Sequence, residues 1–130
     1  MKKLISIIIP MYNEEESLPY LYDRLTKLAD KIENYNMEFL FVNDGSKDNS
    51  LNIVKAYKKS DERVCYLNLS RNFGKEVAMA AALDYVRGDV VAIIDADLQD
   101  PPELIIDMLK YYEEGYDDVY AKRKSRKGET

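Results

Sequence analysis

Leu4-Ile5-Ser6-Ile7-Ile8-Ile9-Pro10-Met11-Tyr12-Asn13-Glu14 begins as an apolar run, stops at a proline and turns abruptly polar. A run rich in β-branched side chains, with almost no polar alternation, reads as a strand buried on both faces. The same grammar recurs outward along the chain. Residues 39–42, 64–69 and 90–94 read as further strands, the last the most apolar, and residues 118–121 as a fifth. Between them the apolar spacing changes to the helical one. From Leu18 it continues through Leu21, Tyr22, Leu25, Leu28, Ala29 and Ile32, one face of a helix. Asp44-Gly45-Ser46 and Asp48-Asn49-Ser50 supply turn and N-cap chemistry for a short helix around Ile53, Val54 and Tyr57. Residues 74–86 read as a helix turning Met79, Ala82, Leu83 and Val86 inward. Pro101-Pro102-Glu103 opens another, with Ile105, Met108, Leu109 and Tyr112 inward, since proline is tolerated in a first turn.

Strands alternating with helices predict an α/β fold, a three-layer Rossmann-like parallel sheet with helices on both faces. The commonest strand order for such a sheet is 3-2-1-4, which makes the first and fourth strands neighbours at the switch point where ligands bind. The polar clusters fall at the carboxyl ends that this rule favours. Tyr12-Asn13-Glu14 follows the first strand, Asn43-Asp44-Gly45-Ser46 the second, and Asp95-Ala96-Asp97 the fourth.

Length and composition set bounds. A chain of 130 residues, 46% hydrophobic and 33% charged, fits one globular domain with a proper core. The expected domain is residues 1–121, followed by a basic tail at 122–130 where the chain reads as truncated. The start resembles a signal n-region, but its apolar stretch ends at Pro10 and gives way to Asn13-Glu14-Glu15-Glu16, so it is neither signal peptide nor membrane span. Cys65, the single cysteine, reads as a buried small hydrophobe in a cytoplasmic domain. A net charge of −5 argues against a general nucleic-acid binder. There is no histidine, so any acid, base or metal chemistry falls to carboxylates, amides, Lys, Arg or Tyr.

Asp95 and Asp97 lie two apart at a strand end, so both carboxylates face the same way. Adjacent anions repel unless a cation lies between them, and oxygen ligands alone suit Mg²⁺ or Mn²⁺. Gln99 adds a neutral oxygen in the same alternation. A bare Asp-x-Asp is equally a solvated turn before a helix. The loop after the first strand has acids where a dinucleotide-binding loop has glycines, so a phosphorylated ligand there needs its charge masked. Glu14, Glu15 and Glu16 also suit the first turn of a helix, complementing its dipole. Asp44 stands where α/β nucleotide sites place an acid for base or ribose, or else makes an Asx-turn with Gly45. Ser70-Arg71-Asn72-Phe73-Gly74-Lys75 sets two cations beside a glycine, with Lys75 a candidate phosphate ligand. The basic run 122–127 reads as a solvated tail, or as a patch meeting phosphate or an anionic membrane.

Three segments together resemble the family 2 glycosyltransferases of the GT-A fold. They are Ser6-Ile7-Ile8-Ile9-Pro10-Met11-Tyr12-Asn13-Glu14-Glu15, Val42-Asn43-Asp44-Gly45-Ser46-Lys47-Asp48-Asn49-Ser50 and Asp95-Ala96-Asp97-Leu98-Gln99-Asp100-Pro101. Leu69-Ser70-Arg71-Asn72-Phe73-Gly74-Lys75-Glu76 and Asp97-Leu98-Gln99-Asp100-Pro101 resemble the polyprenyl-phosphate branch, the dolichyl-phosphate mannosyltransferases and bactoprenol glucosyltransferases. The resemblance implies transfer of a hexose from a UDP- or GDP-sugar to polyprenyl phosphate, metal-dependent and inverting, at the cytoplasmic face of a membrane. It implies that Pro10, Tyr12, Asn13, Glu14 and Asp44 hold the nucleoside. Asp95 would lie against ribose and metal as a catalytic residue with Asp97, Asp97 and Gln99 would bind the metal, and Arg123 would approach a phosphate. Where the family reads Gly-Ser/Thr-Arg, this chain has Ala121-Lys122-Arg123. The acceptor region and membrane helices of relatives do not occur in the 130 residues, so the expectation is donor binding without completed transfer. Two rival readings are a transferase extending a polysaccharide and, from another class, a phospho-receiver or interaction module.

Overall fold

The computed structural model describes residues 2–96 and 102–113. Strands and helices alternate as β1 (Lys3–Met11), α1 (Leu18–Lys31), β2 (Tyr35–Asn43), α2 (Ser50–Ser60), β3 (Val64–Asn68), α3 (Lys75–Leu83), β4 (Val90–Ile93) and α4 (Leu104–Glu113). All strand pairings are parallel and the sheet order is β3-β2-β1-β4, the expected one. A phospho-receiver order places β1 beside β3, so the topology excludes that reading. The fold class is as expected from the sequence, and helices cover both faces of the sheet.

The first face carries alternate residues of each strand, which share a side because the side-chain period is two. Ile5, Ile7, Ile9, Met11, Met37, Phe39 and Phe41 are buried there under Leu21, Leu25 and Leu28 of α1, Val54 of α2 and Ile105, Met108 and Leu109 of α4. The second face is thinner. Ile8, Leu40 and Val42 pack against Ala78 and Ala82 of α3, with Cys65, Leu67 and Val91 partly buried beside them. Burying a side chain such as Ile7 contributes roughly 1.5–3 kcal/mol, so β1 contributes heavily on both faces.

Several details depart from the sequence reading. β1 runs through Pro10 to Met11 instead of ending at the proline. Its even-numbered residues bond toward β4, and the outermost such bond runs from the Ile94 N–H to the Ile8 carbonyl. Pro10 therefore lies beyond the paired stretch on that side, where no donor is required. β2 begins at Tyr35, not at residue 39, because polar Glu38 is buried within it. The Ser6 hydroxyl and the Arg87 N–H both donate to Glu38 Oε2, and the Arg87 guanidinium donates to Oε1. Burial pushes the Glu38 carboxyl up, but these bonds and the Arg87 charge hold it below its ordinary value. α3 is shorter than expected and turns Ala78 and Ala82 inward, while Leu83 is 52% exposed. Two alanines one turn apart let the helix approach the sheet backbone closely, and the long side chains fall to its flanks. Finally, α1 starts at Leu18 behind Ser17, so Glu14, Glu15 and Glu16 precede its first turn. Cys65 is only partly buried. The expected fifth strand and the basic run lie outside the described residues.

Candidate functional site at the strand carboxyl ends

β1 and β4 part company beyond Ile8 and Ile94, at the sheet end where the parallel strands β1, β2 and β4 all finish. Asn13 follows β1 with φ 54°, a left-handed conformation that asparagine tolerates better than most residues. The conformation lets it bridge two loops. Its N–H donates to Ser46 Oγ, and its Oδ1 accepts the N–H of Lys47 at 2.7 Å. The Glu14 N–H donates to Ser50 Oγ at 2.8 Å and the Glu15 N–H to Asp48 Oδ2 at 3.2 Å. Asp48 and Ser50 thus do more than begin α2. The helix N-cap, Asn49, makes no side-chain cap bond, and its neighbours are spent on lacing the first two loops together. Burial pushes the Asp48 carboxyl up, while bonds from Ser50 and the Glu15 N–H bring it below its ordinary value. A cavity of about 280 Å³ lies here, lined by Asn13, Glu14, Glu15, Glu16, Ser17 and Asp48.

Asp44 is buried, and its carboxylate bonds across to another loop instead of making the Asx-turn that was the alternative reading. Its Oδ1 accepts the Phe73 N–H at 2.7 Å and its Oδ2 the Gly74 N–H at 3.0 Å, which fixes the loop entering α3. A carboxylate offers about four lone-pair positions, so capacity remains for a ligand hydroxyl. Gly45, next along, has φ 77°, and a Cβ there would lie 2.4 Å from the Asn72 nitrogen. The two loops therefore touch backbone to backbone.

Asp95 follows β4 and is held from both sides. The preceding Ile94 N–H bonds to Ile8, and the Ser17 hydroxyl donates to the following Ala96 carbonyl at 2.7 Å. Its carboxylate meets Lys75, the first residue of α3, with Nζ 2.5 Å from Oδ1; the two side chains are 53% and 22% exposed. Tyr12 and Phe73 stand partly exposed at this end, the Arg71 guanidinium 4.8 Å from the Phe73 ring centre. Pro10 is buried within β1.

The structure thus joins Asp44 to the loop that carries Lys75, and Lys75 to Asp95. It joins Asn13 and Glu14 to the second loop. Asp97, Gln99 and Arg123 lie outside the described residues. Among the described residues no group of three or more His, Cys, Asp or Glu is arranged to hold a metal. The donor chemistry at hand is oxygen only, Asp95 here with Asp97 and Gln99 next in sequence, and that set fits Mg²⁺ or Mn²⁺ rather than a softer ion. The Lys75–Asp95 pair and the Ser17–Ala96 bridge join residues far apart in sequence, and no local pattern announces them.

The glycosyl transferase family 2 model matches residues 6–130. The chain belongs to that family. A bactoprenol glucosyl transferase of Shigella phage SfX is 43% identical over 122 residues, covering 94% of this chain and 40% of that protein. The chain spans 38–40% of the length of the curated relatives it matches. Among solved structures, S. aureus TarS 1–349 in complex with UDP superposes with a TM-score of 0.67 at 28% identity, over 88% of this chain and 32% of that one. Mannosyltransferase PcManGT from Pyrobaculum calidifontis, in complex with GDP-Man and Mn²⁺, gives 0.67 at 22% identity over 82% and 31%, a likeness of fold. The fold is that of the GT-A glycosyltransferases.

Proposed function

We propose that this family 2 domain binds the nucleotide-diphosphate sugar for a metal-dependent, inverting hexose transfer to polyprenyl phosphate. The observation that carries the reading is the convergence at one sheet end of Asp44, Lys75 and Asp95, linked through the loop that enters α3. Tyr12, Asn13, Glu14 and Asp44 surround the nucleoside, with Pro10 shaping the floor. Asp95, Asp97 and Gln99 hold Mg²⁺ or Mn²⁺, which when bound neutralises charge on the departing nucleoside diphosphate. Lys75 and Arg123 meet its phosphates.

Chemistry as well as the relative's name supports this acceptor. A phosphate monoester has a second pKa of about 6 and is already a nucleophilic anion near neutrality. Its oxygen bonds to the anomeric carbon as the bond to the diphosphate breaks, and no histidine or other general base is required. A transferase extending a polysaccharide would need a carboxylate base for the sugar hydroxyl. The whole protein works at the cytoplasmic membrane face in this reading. Among the described residues no helix is long and apolar enough to cross a membrane.

Calorimetry tests the donor half. UDP binds with Mn²⁺ and much more weakly in EDTA, because the acidic loops repel an unmasked diphosphate. Equal affinity in both buffers would remove the metal from the account.

A further inference from the structure

The Lys75–Asp95 contact is built from both sides rather than formed by two loose surface chains. The root of Lys75 is set by Gly74, whose N–H is held by Asp44 Oδ2, and the root of Asp95 by the flanking bonds to Ile8 and Ser17. The ammonium sits against Oδ1, on the carboxylate that would serve the metal. A divalent ion arriving at either oxygen of Asp95 meets that ammonium as a like charge within a few ångström, a repulsion that persists at a partly exposed site.

We propose that Lys75 competes with the metal for Asp95 and releases it when a donor diphosphate offers the ammonium another anion. The inference rests on the donor-binding reading above and adds a coupling to it. Metal alone binds weakly because Lys75 holds its ligand. Nucleotide alone binds weakly because the acidic loops repel it. Each helps the other, and by linkage the factor is the same in both directions. The domain thereby avoids filling its metal site unproductively in the absence of donor.

Lys75→Gln and Lys75→Arg test this, with Mn²⁺ binding followed by electron paramagnetic resonance and UDP binding by calorimetry. Without nucleotide, Lys75→Gln binds Mn²⁺ about two- to fivefold more tightly than wild type, the range one partly exposed ion pair supports. At saturating Mn²⁺ it binds UDP weaker by a similar factor. Lys75→Arg keeps the cation and follows wild type in both assays. A merely structural lysine would not move the two affinities in opposite directions. If wild type needs Mn²⁺ for UDP and Lys75→Gln binds Mn²⁺ no more tightly, the competition is wrong and the donor-binding reading stands. If wild type binds UDP equally without metal, the competition falls together with the metal-dependent part of the donor-binding reading.

Discussion

Gly45 is the residue whose side chain can be argued most sharply, because it has none. Its φ of 77° and the 2.4 Å approach of the Asn72 nitrogen exclude a Cβ unless the loop entering α3 moves. Gly45→Ala is expected to lower stability by roughly 1–3 kcal/mol, as left-handed strain and overlap act together. The same shift displaces the Phe73 and Gly74 amides from Asp44, so UDP affinity falls as well. A variant with unchanged melting temperature and UDP affinity would show that the loop yields freely. Asp97→Asn makes the opposite kind of test. It keeps size and hydrogen bonding while removing one charge, so metal-dependent UDP binding is abolished and the melting temperature is unchanged or higher. Loss of folding would instead make Asp97 structural.

Among the elements, α1 and α2 are joined by Asp61, the residue that caps α2. Arg63 grips its carboxylate through Nε at 2.9 Å and Nη2 at 3.0 Å, and the Tyr22 hydroxyl donates at 2.6 Å. Tyr22 also stacks on Tyr57, ring centres 4.0 Å apart. Arg63 above all holds the Asp61 carboxyl at about 2, below its ordinary 3.8. A depressed carboxyl contributes stability above its unfolded value and loses it as pH falls through the folded one. The window is therefore about pH 4 down to pH 2, and the contribution is on the order of 1–2 kcal/mol once solvent screening of Arg63 is allowed for. Asp61→Asn should flatten that part of an acid-unfolding profile; an identical slope would discount the pair. Elements were legible in the sequence where hydrophobic period alone decides them, as in Leu21, Leu25 and Leu28 of α1. They were misread where a polar group is buried against distant partners, as Glu38 is by Ser6 and Arg87, or where a small residue faces inward in place of a large one, as Ala78 does while Leu83 is exposed. Of the candidate site, the placing of Asn13, Asp44 and Asp95 just past strand ends was legible, since that follows from where the strands stop. Its internal wiring was not, because Asn13 reaching Lys47, Asp44 reaching Gly74 and Lys75 reaching Asp95 are contacts made by folding.

At the scale of the whole molecule, the acidic domain and the basic run 122–127 divide the charge. Each Lys or Arg near an anionic bilayer contributes on the order of 1 kcal/mol, and the rest of the domain is repelled. Sedimentation at low salt should show weak adsorption to anionic vesicles, lost when Lys122, Arg123, Lys124, Arg126 and Lys127 are neutralised. Equal behaviour on neutral vesicles would leave that run a solvated segment. The central claim is that the opening between β1 and β4 holds a nucleoside diphosphate through a metal on the Asp95–Gln99 segment. Crystals grown with UDP and Mn²⁺ test it most directly, through the anomalous signal of manganese. The account predicts one peak joining Asp97 and the UDP diphosphate at oxygen-ligand distance, with the base near Tyr12 and Asp44. Manganese away from residues 95–99, or UDP bound elsewhere on the sheet, would contradict it.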